Sequence, residues 1–198
     1  VFVANPNQLD SDSDQLGDAC DAYVNDPALF LQLDGTAKGE QLGASVALAD
    51  MNGDGIVDLI VSAPQANVVN GAGQLLKKAG VIRIVSGRDN SVLRSFSGWV
   101  ANQRFGSAIA VIGDMDGDTV PELLVGDPFA DVTQPTASGF AVLKDAGRVS
   151  LHAGADGRLL RTVAEGQEAG AQFGAAVATA DVNGDQLADL VVGVPKAD

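Results

Sequence analysis

Three nine-residue acidic loops carry the side chains best suited to chemistry in this chain: residues 50–58 (DMNGDGIVD), 114–122 (DMDGDTVPE) and 181–189 (DVNGDQLAD). In the first, Asp50, Asn52, Asp54 and Asp58 place oxygens at loop positions 1, 3, 5 and 9. Asp114, Asp116, Asp118 and Glu122 do so in the second, and Asp181, Asn183, Asp185 and Asp189 in the third. The backbone carbonyls of Ile56, Val120 and Leu187 are available at position 7. Such an all-oxygen donor set is what a hard cation takes, and calcium is the expected ion at each loop. Asp, Asn and Gly also crowd ordinary turns, so one such loop would say little. Three copies whose first residues lie 64 and 67 positions apart say much more.

A fourth series lies near the N-terminus. Asp10, Asp12, Asp14, Asp18 and Asp21 stand at positions 1, 3, 5, 9 and 12 of a loop, with the Leu16 carbonyl at position 7. This too is a calcium pattern. Together the four segments hold 15 of the 26 acidic residues, so the formal charge of −14 is concentrated and would be largely neutralised by bound ions. That charge argues against nucleic acid or an anionic membrane as partner.

Little else in the chain is arranged for reaction. The one histidine, His152, has no partner base in the pattern, and Cys20 is the one cysteine. Gly71-Ala72-Gly73 lacks the strand-to-helix context of a phosphate loop. The close carboxylate pairs already belong to the metal loops, so no enzyme activity is expected. No apolar stretch approaches the length of a membrane span, and no signal peptide is visible. A chain opening on Val1 is expected to have lost an upstream segment.

The elements that must position these loops repeat with them. Leu42-Gly43, Phe105-Gly106 or Phe173-Gly174 precedes each loop, and Ser62-Ala63-Pro64, Gly126-Asp127-Pro128 or Gly193-Val194-Pro195 follows. Alternating residues 44–49 lead into the first loop, and β-branched runs 57–62, 122–126 and 189–193 lead out. Pro121 in the second exit argues against a following helix, so each loop closes a β-hairpin rather than an EF-hand. Residues 79–87 and 146–154 match each other, and each continues through a polar turn into a further strand, at 92–96 and 159–163. A glycine then recurs seven residues before the next Leu-Gly or Phe-Gly, at Gly35, Gly98 and Gly166. Four strands per repeat make the blade of a β-propeller. The expected fold is all-β, a partial propeller of about three four-stranded blades. It consists of two whole repeats, the last strand of a preceding one (28–33) and the first half of another.

Over residues 28–198 this order of Phe-Gly, acidic loop and Gly-Ala-Pro-like exit resembles the FG-GAP repeat of integrin α-chain propellers. The resemblance implies calcium loops between the first two strands of each blade, on the lower face of a seven-bladed ring. A ring of that size needs missing sequence or another chain to close. Thr119 and Gln186 depart from the family's glycine at the sixth loop position. Residues 1–25 resemble a thrombospondin type 3 repeat, which implies that Cys20 pairs with a cysteine before Val1. The domain division expected is thus 1–25 and 26–198.

On the propeller resemblance, partners meet the face opposite the calcium loops. That face is built from connections 65–78 and 129–145 and from 36–41, 99–104 and 167–172. Trp99, Phe129 and Phe140 are its candidate anchors; Trp99 packing between blades is the competing role. Weak calcium sites, with Kd about 0.1–1 mM in about 1 mM calcium, would each add roughly 0.4–1.4 kcal/mol of stability. Cytosolic calcium would leave them empty, so the expected location is extracellular, cell-surface or periplasmic. The expected function is a calcium-stabilised protein-interaction or adhesion module. The alternative is an accessory carbohydrate-binding propeller attached to a secreted enzyme.

Overall fold

Short apolar, β-branched runs set between glycine and proline turns produce strands alone. The computed structural model describes residues 33–185 and 188–197, and among these every regular element is a β-strand. The first blade comprises β1 (Val46–Ala49), β2 (Asp58–Ala63), β5 (Val81–Val85) and β6 (Val92–Ser97), paired antiparallel in that order. Between β2 and β5, residues 65–78 fold into a small hairpin, β3 (Val68–Val69) with β4 (Leu75–Leu76). The second blade repeats the plan with β7 (Ala108–Ile112), β8 (Glu122–Asp127), β11 (Arg148–His152) and β12 (Leu159–Glu165). Its inserted hairpin is longer, β9 (Val132–Thr136) with β10 (Gly139–Leu143). β13 (Ala176–Ala180) and β14 (Asp189–Gly193) form the first half of a third blade. Gly35–Asp198 is one compact unit.

The blades stand side by side through their first strands, β1 against β7 and β7 against β13. Ser45 Oγ accepts from the Ile109 amide at 3.1 Å, and Thr179 Oγ1 donates to the Val111 carbonyl at 2.8 Å. This radial order is that of a propeller, and the sheets do not close into a ring. The core lies between the blades: Ile60, Ile82, Ile84 and Phe96 of the first meet Ile109, Leu123 and Val125 of the second, with Phe105 from the linker wedged among them. Burying each such side chain contributes about 1.5–3 kcal/mol.

A backbone stitch accounts for the recurring glycines. The Phe105 amide donates to the Ala79 carbonyl at 2.9 Å, and Phe173 does the same to Ala146 at 2.8 Å. Gly98 and Gly166 in turn donate to the carbonyls of Gly80 and Gly147, each at 2.9 Å. Thus the Phe-Gly step that opens one blade is bonded to the residues leading into the third strand of the blade before it.

The second blade also buries an acid. Asp127, in the Gly-Asp-Pro exit, is fully enclosed; it accepts from Gln103 Nε2 at 2.9 Å and from the Gly106 amide at 3.3 Å. Loss of water pushes its pKa up to about 7, and the Gln103 bond and the Arg148 charge offset this only in part. Because its folded pKa lies above the unfolded value, the stability tied to its proton is present at acid pH. That stability is lost as pH rises from about 4 towards 7. Asp127→Asn, whose NH2 can donate to the partnerless Gln103 Oε1 once that amide turns over, should therefore flatten this pH dependence and be more stable than wild type above pH 7, measured by urea unfolding across pH at fixed calcium.

Candidate metal loops

Each acidic loop sits on the β-turn between the first and second strands of its blade, and its first aspartate folds the turn around itself. In the first loop Asp50 Oδ1 accepts from the Gly53 amide at 2.7 Å, and Oδ2 from Gly55 at 2.8 Å. Asn52 Oδ1 accepts from Asp54 at 2.9 Å, and Asp54 Oδ1 from Ile56 at 2.8 Å. The second loop repeats the scheme: Asp114 accepts from Gly117 at 2.6 Å and Thr119 at 2.9 Å, and Asp118 from Val120 at 2.9 Å. In the third, Asp181 accepts from Gly184 at 2.6 Å, and Asn183 from Asp185 at 2.8 Å. These amide donors, led by Gly55 at Asp50 and by Thr119 at Asp114, hold both carboxyls below the usual range. Both therefore stay ionised and ready to ligate.

The ninth-position acid closes each loop from the strand side. Asp58 Oδ2 accepts from the Met51 amide at 2.8 Å while its Oδ1 accepts from Gly87 at 3.1 Å; Asp189 accepts from Val182 at 2.9 Å. Glu122 takes the Met115 amide, yet its Oε1 is buried with no hydrogen-bond partner. In the second loop the ligand atoms of Asp114, Asp116, Asp118 and Glu122 all lie within 4.8 Å of one another. Burial, and next the charges of Asp116, Asp114 and Asp118, push the Glu122 carboxyl up. A cation placed among these oxygens would remove the repulsion and satisfy Oε1, so the donor set fits calcium.

The expected ligand residues of the first two loops, and Asp181, Asn183, Asp185 and Asp189 of the third, lie at the turns between paired strands, and the four acids of the second loop converge. Gln186 and Leu187 lie outside the described residues. So do Asp10, Asp12, Asp14, Leu16, Asp18, Asp21 and Cys20 of the thrombospondin-like segment, and nearly all of the strand expected at 28–33. At the sixth position Thr119 adopts φ +73°, where the first loop has Gly55 at +82°. A β-branched residue strains in that region, so the second loop holds its shape against about 1–2 kcal/mol of backbone cost.

Three features had no clear sequence signal. Met51, at loop position 2, is fully buried, whereas Met115 in the same place is 55% exposed. Its methyl reaches the second blade at Gly154, which makes it a plug between blades. Arg88 Nε meets Asp54 Oδ2 at 2.9 Å and Arg158 Nη2 meets Asp116 Oδ2 at 2.6 Å, each from the far hairpin of its blade. Finally, His152 is buried as a structural residue, its ring nitrogens 3.0 Å from Ser150 Oγ and from the Gly157 carbonyl.

The opposite edge is less bare than the sequence implied, since the connections 65–78 and 129–145 form the hairpins β3–β4 and β9–β10. Of the three candidate anchors, Phe140 is 79% exposed on β10, and Phe129 is half-buried beneath the Arg104 guanidinium at 3.8 Å. Trp99 has the packing role between the blades and leaves part of its ring exposed. It is 46% exposed, and its ring centroid lies 5.9 Å from that of Phe105, between the blades.

Comparison with known proteins extends the repeat beyond this chain. Chicken integrin alpha-V is 31% identical over 157 residues, 78% of this chain and 14% of its own length. Bovine phosphatidylinositol-glycan-specific phospholipase D is 33% identical over 167 residues, 79% of this chain and 19% of its own length. Fruit-fly integrin alpha-PS5 is 30% identical over 175 residues, 83% and 16%. The chain thus spans less than a fifth of each of these relatives. A family model described as FG-GAP repeat matches residues 42–76 and 173–198, the first and third copies. The second copy, with Asp127 at the alanine of the Gly-Ala-Pro exit, follows the same strand plan through β7 and β8. The chain carries FG-GAP repeats, and its described residues form an open arc of the β-propeller that such repeats build.

Proposed function

We propose that this chain is a calcium-stabilised, non-catalytic interaction module that works outside the cytoplasm as part of a larger polypeptide or assembly. The observation that carries the reading is the second loop, where four acidic side chains converge within 4.8 Å and one buried carboxylate oxygen lacks a partner. Calcium, when bound, supplies charge neutralisation and a multidentate cross-link. The chain's own residues do the rest: Asp50, Asp114 and Asp181 wrap the turns, and Asp58, Glu122 and Asp189 tie each turn to its second strand. With the turns fixed at one edge, the blades present hairpins β3–β4 and β9–β10 at the other. Phe140 on β10 is suited to anchor a protein partner there. The integrin relatives support this reading.

No helix among the described residues is long and apolar enough to cross a membrane. Calorimetric titration of the calcium-free chain should find at least three calcium sites, one per propeller loop, with magnesium a poor competitor. Uptake of fewer than two ions would overturn the reading. A second reading, a carbohydrate-binding propeller beside a secreted enzyme, draws on the phospholipase D relatives, which are enzymes by name.

A further inference from the structure

A cleft lies between the first and second blades, lined by residues of β6, the linker 98–105, β11 and the turn into β12; of these, Arg158 also pairs with Asp116 of the second metal loop. Its volume is about 520 Å³, within the size range of small-molecule sites. Both blades that form it are complete four-stranded sheets. Phe96 of β6 closes its floor against the turn of the second blade; a Cβ on Gly157 would stand 2.2 Å from the Phe96 ring.

One wall is aromatic. The Trp99 indole is held on its inner side by Phe105 and by His152, 5.9 and 6.1 Å away between ring centroids, and nearly half of it faces solvent. Such a plate is fixed before any ligand arrives. The other surfaces are polar. Ser95 and Ser97 expose hydroxyls along β6, and Asp156 pairs with Arg158 at 3.2 Å on the opposite turn. Arg148 enters between them, its Cζ 5.7 Å from the Trp99 centroid, and its buried Nε has no acceptor.

Charge selects among ligands. Each guanidinium already has a carboxylate, Arg158 with Asp156 and Asp116 and Arg148 with Glu165 at 3.8 Å, so the cleft has no unmet demand for an anion. A cation would likewise find these carboxylates already paired with guanidiniums. A wholly apolar ligand would leave the Arg148 Nε–H and the Asp156–Arg158 pair dehydrated. What remains is a neutral ligand with one apolar face and a rim of hydroxyls.

We infer that this cleft binds a neutral pyranose sugar, stacked through its C–H face on Trp99 with its hydroxyls turned to Arg148, Ser97 and the Asp156–Arg158 pair. The inference rests on the second reading for its ligand class and locates the site. It is independent of the calcium reading. Trp99 is the one tryptophan in the chain, so its emission reports the cleft directly.

The full chain is titrated, in saturating calcium with its calcium-induced melting shift confirmed first, with methyl glycosides of neutral hexoses and N-acetylhexosamines and with a uronic acid. A saturable change in Trp99 emission with at least one neutral glycoside is expected, with Kd in the millimolar range. By calorimetry, Trp99→Ala should abolish binding and Ser97→Ala should weaken it about three- to tenfold, the latter without a change in melt. No saturable response to any neutral glycoside, tighter binding of the uronic acid, or undiminished binding by Ser97→Ala would each overturn the assignment. A normal calcium shift beside any of these results leaves the calcium reading standing.

Discussion

Replacing Gly147 or Gly80 by alanine is expected to cost about 3–5 kcal/mol, a large share of the stability of a domain this size. Two effects add. Both glycines have positive φ, +87° and +92°, where an L side chain costs about 1–2 kcal/mol. In addition, an alanine methyl would stand 2.2 Å from the carbonyl oxygen of Phe173 or Phe105. These oxygens are backbone, so relief requires parting the strands that the Phe173 and Phe105 amides stitch to Ala146 and Ala79. Gly39 supplies the control: its φ is +83°, yet nothing lies within 4 Å of an added Cβ. Gly39→Ala should cost only the conformational part, about 1–2 kcal/mol. Urea unfolding of the three variants measures the difference, and equal losses would remove the close approach from the explanation.

Glu122→Gln should have opposite effects with and without calcium. In chelator the substitution removes one of four crowded negative charges and a buried carboxylate whose Oε1 has no partner. The amide oxygen of glutamine can still accept from the Met115 N–H. The calcium-free variant should be as stable as wild type or more so, by about 1 kcal/mol. In calcium the same change deletes a charged ligand, and affinity at that loop should fall about 10–100-fold. Asp58→Asn should behave otherwise, because both Asp58 oxygens accept backbone amides, from Met51 and Gly87. An asparagine there turns an NH2 against one of them and should destabilise both forms by about 2–3 kcal/mol. Melting each variant in chelator and in calcium separates the loss of a ligand charge at Glu122 from the loss of a backbone acceptor at Asp58.

The acidic loops were legible in the sequence because their residue types and spacing repeat within nine residues, and the structure sets each on the turn between paired strands. The strand order was legible for a related reason: alternation, Pro121 and the recurrent glycines are local signals, and their repetition defines a blade. What escaped the sequence lies between distant segments. Arg88 reaches Asp54 across 34 residues and Arg158 reaches Asp116 across 42, and nothing near either arginine marks it as a counter-charge. Asp127 and Gln103, 24 residues apart, form a buried pair within an exit motif that otherwise reads as a turn. Met51 has the neighbours of a loop residue, and only the adjacent blade makes it core. Trp99 was open to two readings because the indole is large enough to pack with Phe105 on one side and face solvent on the other.

The acidic loops are, on this account, calcium clasps that fix each blade's first hairpin, and the most direct test is the melting temperature of the full chain in millimolar calcium against excess chelator. With at least three clasps each contributing roughly 0.4–1.4 kcal/mol, their sum is about 1–4 kcal/mol. The melt should rise by several degrees or more in calcium, and most of that rise should vanish when Asp50, Asp114 and Asp181 are replaced together by asparagine. A melt that is the same in calcium and in chelator would contradict the account at its centre.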